Sequence, residues 1–159
     1  MNLPLRIDYV ISVPQYCDLE IDGGKGDLQI TDVQGSMRIN FIETNADIAV
    51  IGGATNVTVA TGKVNMAFGL KGWRGRSADI QVAKGELNVK LPTTMSAEID
   101  ATILRSGTIE NSLPGLKPRN RKVTFTDKSI IAKAGAGGSP LKFTVGDGTL
   151  RMDTLALPL

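Results

Sequence analysis

Histidine is absent from the sequence. That removes the commonest general base, the commonest metal ligand and every Ser–His or Cys–His pair. Cys17 is the single cysteine, so no internal disulfide can form. With no basic neighbour in the chain it reads as a small buried hydrophobe rather than a reactive thiol. Aromatic residues make up only 4% of the chain, so a core has to come from Val, Ile, Leu and Met. No apolar run approaches the roughly 18 residues that a membrane-spanning helix needs. The opening MNLPLRIDYVISVP alternates in polarity and is interrupted by Asp8, unlike a signal peptide. A net charge of +2 gives no ground for nucleic acid as a partner.

What the chain has is apolar content of 42%, 21% charged residues, 18 glycines and 159 residues, which suits one folded domain spanning 1–159. The organising stretch is Asp18 to Phe68. Short apolar–polar–apolar units recur there: Leu19/Ile21, Leu28/Ile30, Met37/Ile39, Ile48/Val50, Val57/Val59 and Val64/Met66. The first members step by 9, 9, 11, 9 and 7 residues. Gly, Asn or Asp bounds each unit, at Gly23-Gly24, Gly26, Gly35, Asn45, Gly52-Gly53 and Gly62. Glycine supplies the positive φ of a sharp corner. Alternation with period two is a strand signal, and no window has the 3.6-residue period of a helix.

Short strands at regular spacing fit either an antiparallel sandwich or a β-solenoid, in which each strand pairs with its counterpart one coil later. The apolar pairs keep one phase, the hairpin dipeptide Asn-Gly is missing, and Asp-Gly occurs in the ladder only at Asp22-Gly23, with a second at Asp147-Gly148 near the C-terminus. The expectation is an all-β, single-domain, right-handed β-solenoid, or β-helix-like fold, without substantial α-helix. Its strand–turn units are about 9 residues long, two to a coil of about 18 to 20. A capping strand is expected over 1–15, the repeat ladder over 16–110, a loop insertion over 111–128 and closing strands over 129–159. Removing a middle coil should unfold such a stack, whereas trimming an end should be tolerated.

The phrase GKGDLQITDVQGSMRI resembles the repeating units of the bacterial putative adhesin domain family, an uncharacterised, envelope-associated group. VISVPQYCDLEIDGGKGDL resembles that family's opening strand and first unit, GELNVKLPTTMSAEIDATILRSGTIEN its late stretch, and AGAGGSPLKFTVGDGTLRM its closing segment. Together these span roughly Val10 to Met152. The resemblance implies a solenoid-like fold in an extracytoplasmic, cell-envelope or surface setting. It carries no catalytic residues. The chain departs from the pattern where Gly35-Ser36, Asn45-Ala46 and Gly62-Lys63 replace Gly-Asp corners.

Candidate chemistry is sparse. GGKGDLQIT fails the calcium-binding nonapeptide because Asp27 falls one place early, so Asp27, Asp47 and Asp79 read as corner residues. Asp18, Glu20 and Asp22 share one strand face, as do Glu98 and Asp100, but nothing assembles them into a facing acid pair. No catalytic residue, metal site or cofactor is expected. Two basic segments interrupt the ladder and should project from it. One contains Lys71, Trp73, Arg74 and Arg76; the other contains Lys117, Arg119, Arg121 and Lys122. A Trp among cations suits sugars or anionic polymers. The resulting expectation is a non-enzymatic, adhesin-like envelope or surface scaffold. Its partner would be a glycan, an anionic polymer or a protein, with membrane association only through an anchor upstream. The alternatives are a polysaccharide-acting β-helix enzyme and a self-assembling structural solenoid.

Overall fold

The computed structural model describes residues 12–14, 16–68, 74–91, 96–112, 116–118, 125–135 and 137–154, without the side chains of residues 32, 51 and 74–76. The capping strand expected over 1–15 falls almost wholly outside them. Among the described residues the chain is all-β, as the periodicity implies: β1 (Leu19–Phe68), β2 (Arg74–Leu91), β3 (Ala97–Asn111), β4 (Lys117–Pro118), β5 (Ser129–Ala134) and β6 (Ser139–Thr154).

Fully extended, β1 would reach roughly 165 Å, yet its own residues meet at a fixed offset. The Ser36 amide donates to Asp18 at 2.9 Å, Asn40 to Asp22 at 2.8 Å and Asn65 to Asp47 at 2.8 Å, each across 18 residues. Tyr16 pairs in parallel with Gln34. Successive passes of β1 therefore lie side by side. Asp18, Asp22 and Asp47 act as ties between passes.

The sheet order is β1-β2-β6-β3-β5-β4. The first three pairings, β1–β2, β2–β6 and β6–β3, are parallel; β3–β5 and β5–β4 are antiparallel. Apolar positions align in rows along the stack. Val57, Ile80, Phe143 and Ala101 form one, and Val64, Leu87, Leu150 and Ile109 another. Their side chains are buried. The spacing apolar-x-apolar-x-x-Gly-x-apolar-x-apolar starts at Val57, Ile80 and Phe143 alike, so each pass presents the same pattern to its neighbours.

The corner inside that pattern forms a glycine row, Gly62–Gly85–Gly148–Gly107, with φ of 139°, 141°, 145° and 133°. A methyl group on Gly85 would overlap the Gly62 carbonyl oxygen, and one on Gly148 that of Gly85. Thr44 takes the place one pass before Gly62, and its buried hydroxyl has no hydrogen-bond partner among the described residues.

Three expectations need correction. The closing segment does not close the stack: β6 sits inside the sheet between β2 and β3. Trimming the C-terminal strand therefore opens the middle of the sheet rather than an end. The first basic segment does not wholly interrupt the ladder, since β2 begins at Arg74 and includes the backbones of Arg74 and Arg76. Part of the 111–128 insertion lies on the edge of β3 instead of projecting. There the Asp127 and Lys128 carbonyls accept from the amides of Ile109 at 2.6 Å and Ile103 at 2.9 Å.

Candidate functional site

Of the two basic segments, only Arg74, Arg76 and Lys117 fall among the described residues. Lys71, Trp73, Arg119, Arg121 and Lys122 lie outside the described residues, and the backbones of Arg74 and Arg76 belong to β2. Lys117 is exposed on β4, opposite Lys133 of β5. β2 and β4 are separated in the sheet by β6, β3 and β5. That is four strand spacings, on the order of 19 Å.

A different surface gathers residues from distant passes. One outward row reads Ile42, Ala60, Ala83, Gly146 and Leu104, a large residue at each end and small ones between. The two large residues are each 63% exposed. The row borders a trench of ≈ 460 Å³ that crosses β1, β2, β6 and β3. Ile42 and Leu104 stand four strand spacings apart, about 19 Å. The trench exists because the central passes carry no bulky side chain at this phase. Asn40, Thr58, Gln81 and Thr144 line it with polar groups. A larger, polar concavity of ≈ 690 Å³ continues on the same face around Asp18, Glu20, Arg38 and Asn56.

Each end of the trench is fixed locally. At the Ile42 end the Phe41 ring lies over Gly23, where any β-carbon would overlap it. At the Leu104 end the β3–β6 register shifts between Ile103 and Ser106. Leu104 and Arg105 together oppose Gly146, a β-bulge of the kind that re-aims side chains. Arg105 Nε donates to Asp147 Oδ2 at 2.9 Å, and its Nη2 reaches the Ala83 carbonyl at 3.4 Å. The guanidinium lies over Gly146, where a β-carbon would stand 2.6 Å from Nη2. Ser106 Oγ donates to Asp147 Oδ1 at 2.9 Å. The Ser106 hydroxyl, followed by the Arg105 guanidinium, holds the Asp147 carboxyl below its ordinary value of 3.8. An exposed ion pair adds little stability by itself; here it sets the shape of the trench wall.

Sequence reasoning missed this site, although a signal was present. Phe41-Ile42 and Ile103-Leu104 are adjacent apolar pairs that break the alternation, so one member of each has to face outward. Among the described residues, no group of three or more His, Cys, Asp or Glu is placed to hold a metal ion. Chemically the trench offers apolar contact between two aliphatic pillars, with hydrogen-bonding groups along one side.

No family model and no curated protein matches the chain. Its fold is similar to the crystal structure of a putative cell adhesion protein from Clostridium sporogenes, with a TM-score of 0.69 over 89% of this chain and 93% of that one. At 11% identity the likeness is one of fold.

Proposed function

We propose that the chain is a non-catalytic, adhesin-like surface module built as a β-solenoid, and that its trench binds a segment of a protein partner. The coil reading is supported by contacts recurring at 18 residues within β1 and by the shared phase of the parallel rows. The surface reading is supported by the sequence resemblance to an envelope-associated family and by the likeness in fold to a cell adhesion protein so described.

The observation that carries the binding site is the row Ile42–Ala60–Ala83–Gly146–Leu104. Exposed aliphatic side chains around a recess mark a contact surface, since a solvated face gains nothing from them. Its length of about 19 Å matches roughly six residues of extended chain. An apolar floor favours aliphatic side chains of a protein over the charged groups of an anionic polymer.

Panning a displayed random heptapeptide library against the whole chain tests this. Selected peptides should carry an aliphatic anchor. They should lose at least tenfold in affinity, about 1.4 kcal/mol, on Ala83→Gln or Leu104→Asp. Binding should survive Lys117→Glu and Trp73→Ala. Peptides indifferent to the trench variants, or selective binding to a glycan array that Trp73→Ala abolishes, would move the site to the basic segments.

A further inference from the structure

We infer that β6 is an exchangeable strand: residues 139–154 of one copy of the chain can fill the slot between β2 and β3 of a second copy. The inference rests on the sheet order and is independent of the trench. β6 comes last among the described elements, yet it pairs on both sides with strands formed earlier in the chain. Leu141, Phe143, Val145, Leu150 and Met152 are fully buried in that slot. Phe143 also meets the ring of Phe68, with centroids 5.9 Å apart. Without β6, the described pairings join β1 to β2 and β3 to β5 and β4, and no pairing links the two groups. The strand is therefore a clasp between two halves.

The slot specifies its occupant. It takes apolar residues at fixed spacing, and a glycine where the strand passes between Gly85 and Gly107. Any copy of this chain carries such a segment, so exchange reproduces every ladder bond and every buried contact of the closed form. An empty slot also exposes two unpaired parallel edges, which is the condition that invites strand addition from another chain.

The connection supplies the hinge. Ala134 of β5 and Ser139 of β6 lie on opposite sides of Ala97, and both pair with it. The link must therefore cross β3, a span of two strand spacings or about 10 Å. Gly135, Gly137 and Gly138 in this link have φ of 58°, 80° and 141°. A link made mostly of glycine can adopt either the crossing or an extended path to a neighbour.

A cross-linking experiment on full-length chains decides the matter. Lys90 and Asp153 are direct partners in the β2–β6 ladder. Across adjacent strands their Cα atoms stand about 4.8 Å apart, within disulfide range. One chain carries Cys17→Ser and Lys90→Cys, the other Cys17→Ser and Asp153→Cys. The two are unfolded together, refolded as a mixture and oxidised with diamide. Exchange predicts a mixed disulfide severalfold above a control pair in which Thr61→Cys replaces Lys90→Cys. A yield at the control level overturns the inference. In a second variant, deletion of residues 135–137 leaves about 7 Å of chain for a crossing of about 10 Å. Exchange predicts that this protein is a strand-rich dimer by light scattering and circular dichroism. A folded monomer would also overturn the inference. If the shortened chain fails to fold, the cross-link alone decides.

Discussion

Up to Leu91 each pass lies on the one before it in the chain, while beyond Ala97 the two orders part. In the first region an offset of 18 residues sets the contacts within β1, and one of 22 to 23 sets the register of β1 with β2. In the second, the chain crosses β3 on leaving β5, and β6 enters between β2 and β3. The side chains obey the same rules in both regions: apolar rows inward, a glycine at each corner from Gly62 to Gly107. The comparison teaches that the repeat defines what a pass is, and connections decide where it goes. Once β5 has paired antiparallel with β3, the parallel edge of β3 is left for the next segment of matching pattern.

The glycine row crosses the join between the regions, and its disruption is the largest effect expected. Gly148→Ala would drive a methyl group into the Gly85 carbonyl, backbone against backbone. Neither strand can withdraw without breaking its ladder. A loss above about 4 kcal/mol is expected, read by urea unfolding, or no folded protein at all. Gly26 has a similar φ of 151°, but a methyl group there meets nothing within 4 Å. Gly26→Ala should incur only the backbone strain, about 1–3 kcal/mol. Equal losses at both positions would mean that conformation alone, and not the packing of passes, makes these glycines necessary.

Next comes the weight of the last strand. If stack order followed chain order, β6 would be peripheral and Phe143 dispensable. As a central strand with Phe143 fully buried, it should lose about 3–5 kcal/mol on Phe143→Ala. Leu19, half-buried on the first pass, should lose about 1 kcal/mol on Leu19→Ala. The denaturation midpoints at unchanged slope measure both. A smaller loss at Phe143 than at Leu19 would contradict the sheet order.

This difference also sets what the sequence could reveal. The strands, the inward phase of pairs such as Val57/Val59 and the glycine corners are local, so the residues themselves show them. The position of β6 is not local. Its apolar and glycine spacing is the same as at Val57 and Ile80, so the pattern carries no address. The trench inherits that illegibility. Leu104 becomes a neighbour of Gly146, and through it of Ala83 and Ala60, only because β6 is inserted beside β3. The charge of each basic segment is visible in one stretch of chain, whereas the trench is assembled from six.

The smallest effect concerns the bulge, which belongs to the inserted half alone. Asp147 is held below 3.8 by the Ser106 hydroxyl and then by Arg105. For a carboxylate depressed in the folded state, the stabilisation is present above the ordinary value and lost as pH falls through the lower folded value. The Arg105 Nε–H resonance should therefore keep its hydrogen-bonded shift as pH falls past 3.8, and move only below it. Ser106→Ala should bring that midpoint up toward 3.8, because it removes the largest contribution. Since the Arg105 guanidinium lies over Gly146 and lines the trench, any ligand held there should weaken over the same acidic interval. A midpoint at or above 3.8 in the unaltered chain would show that the bulge leaves Arg105 free, and that the trench wall at Leu104 is not fixed by this pair.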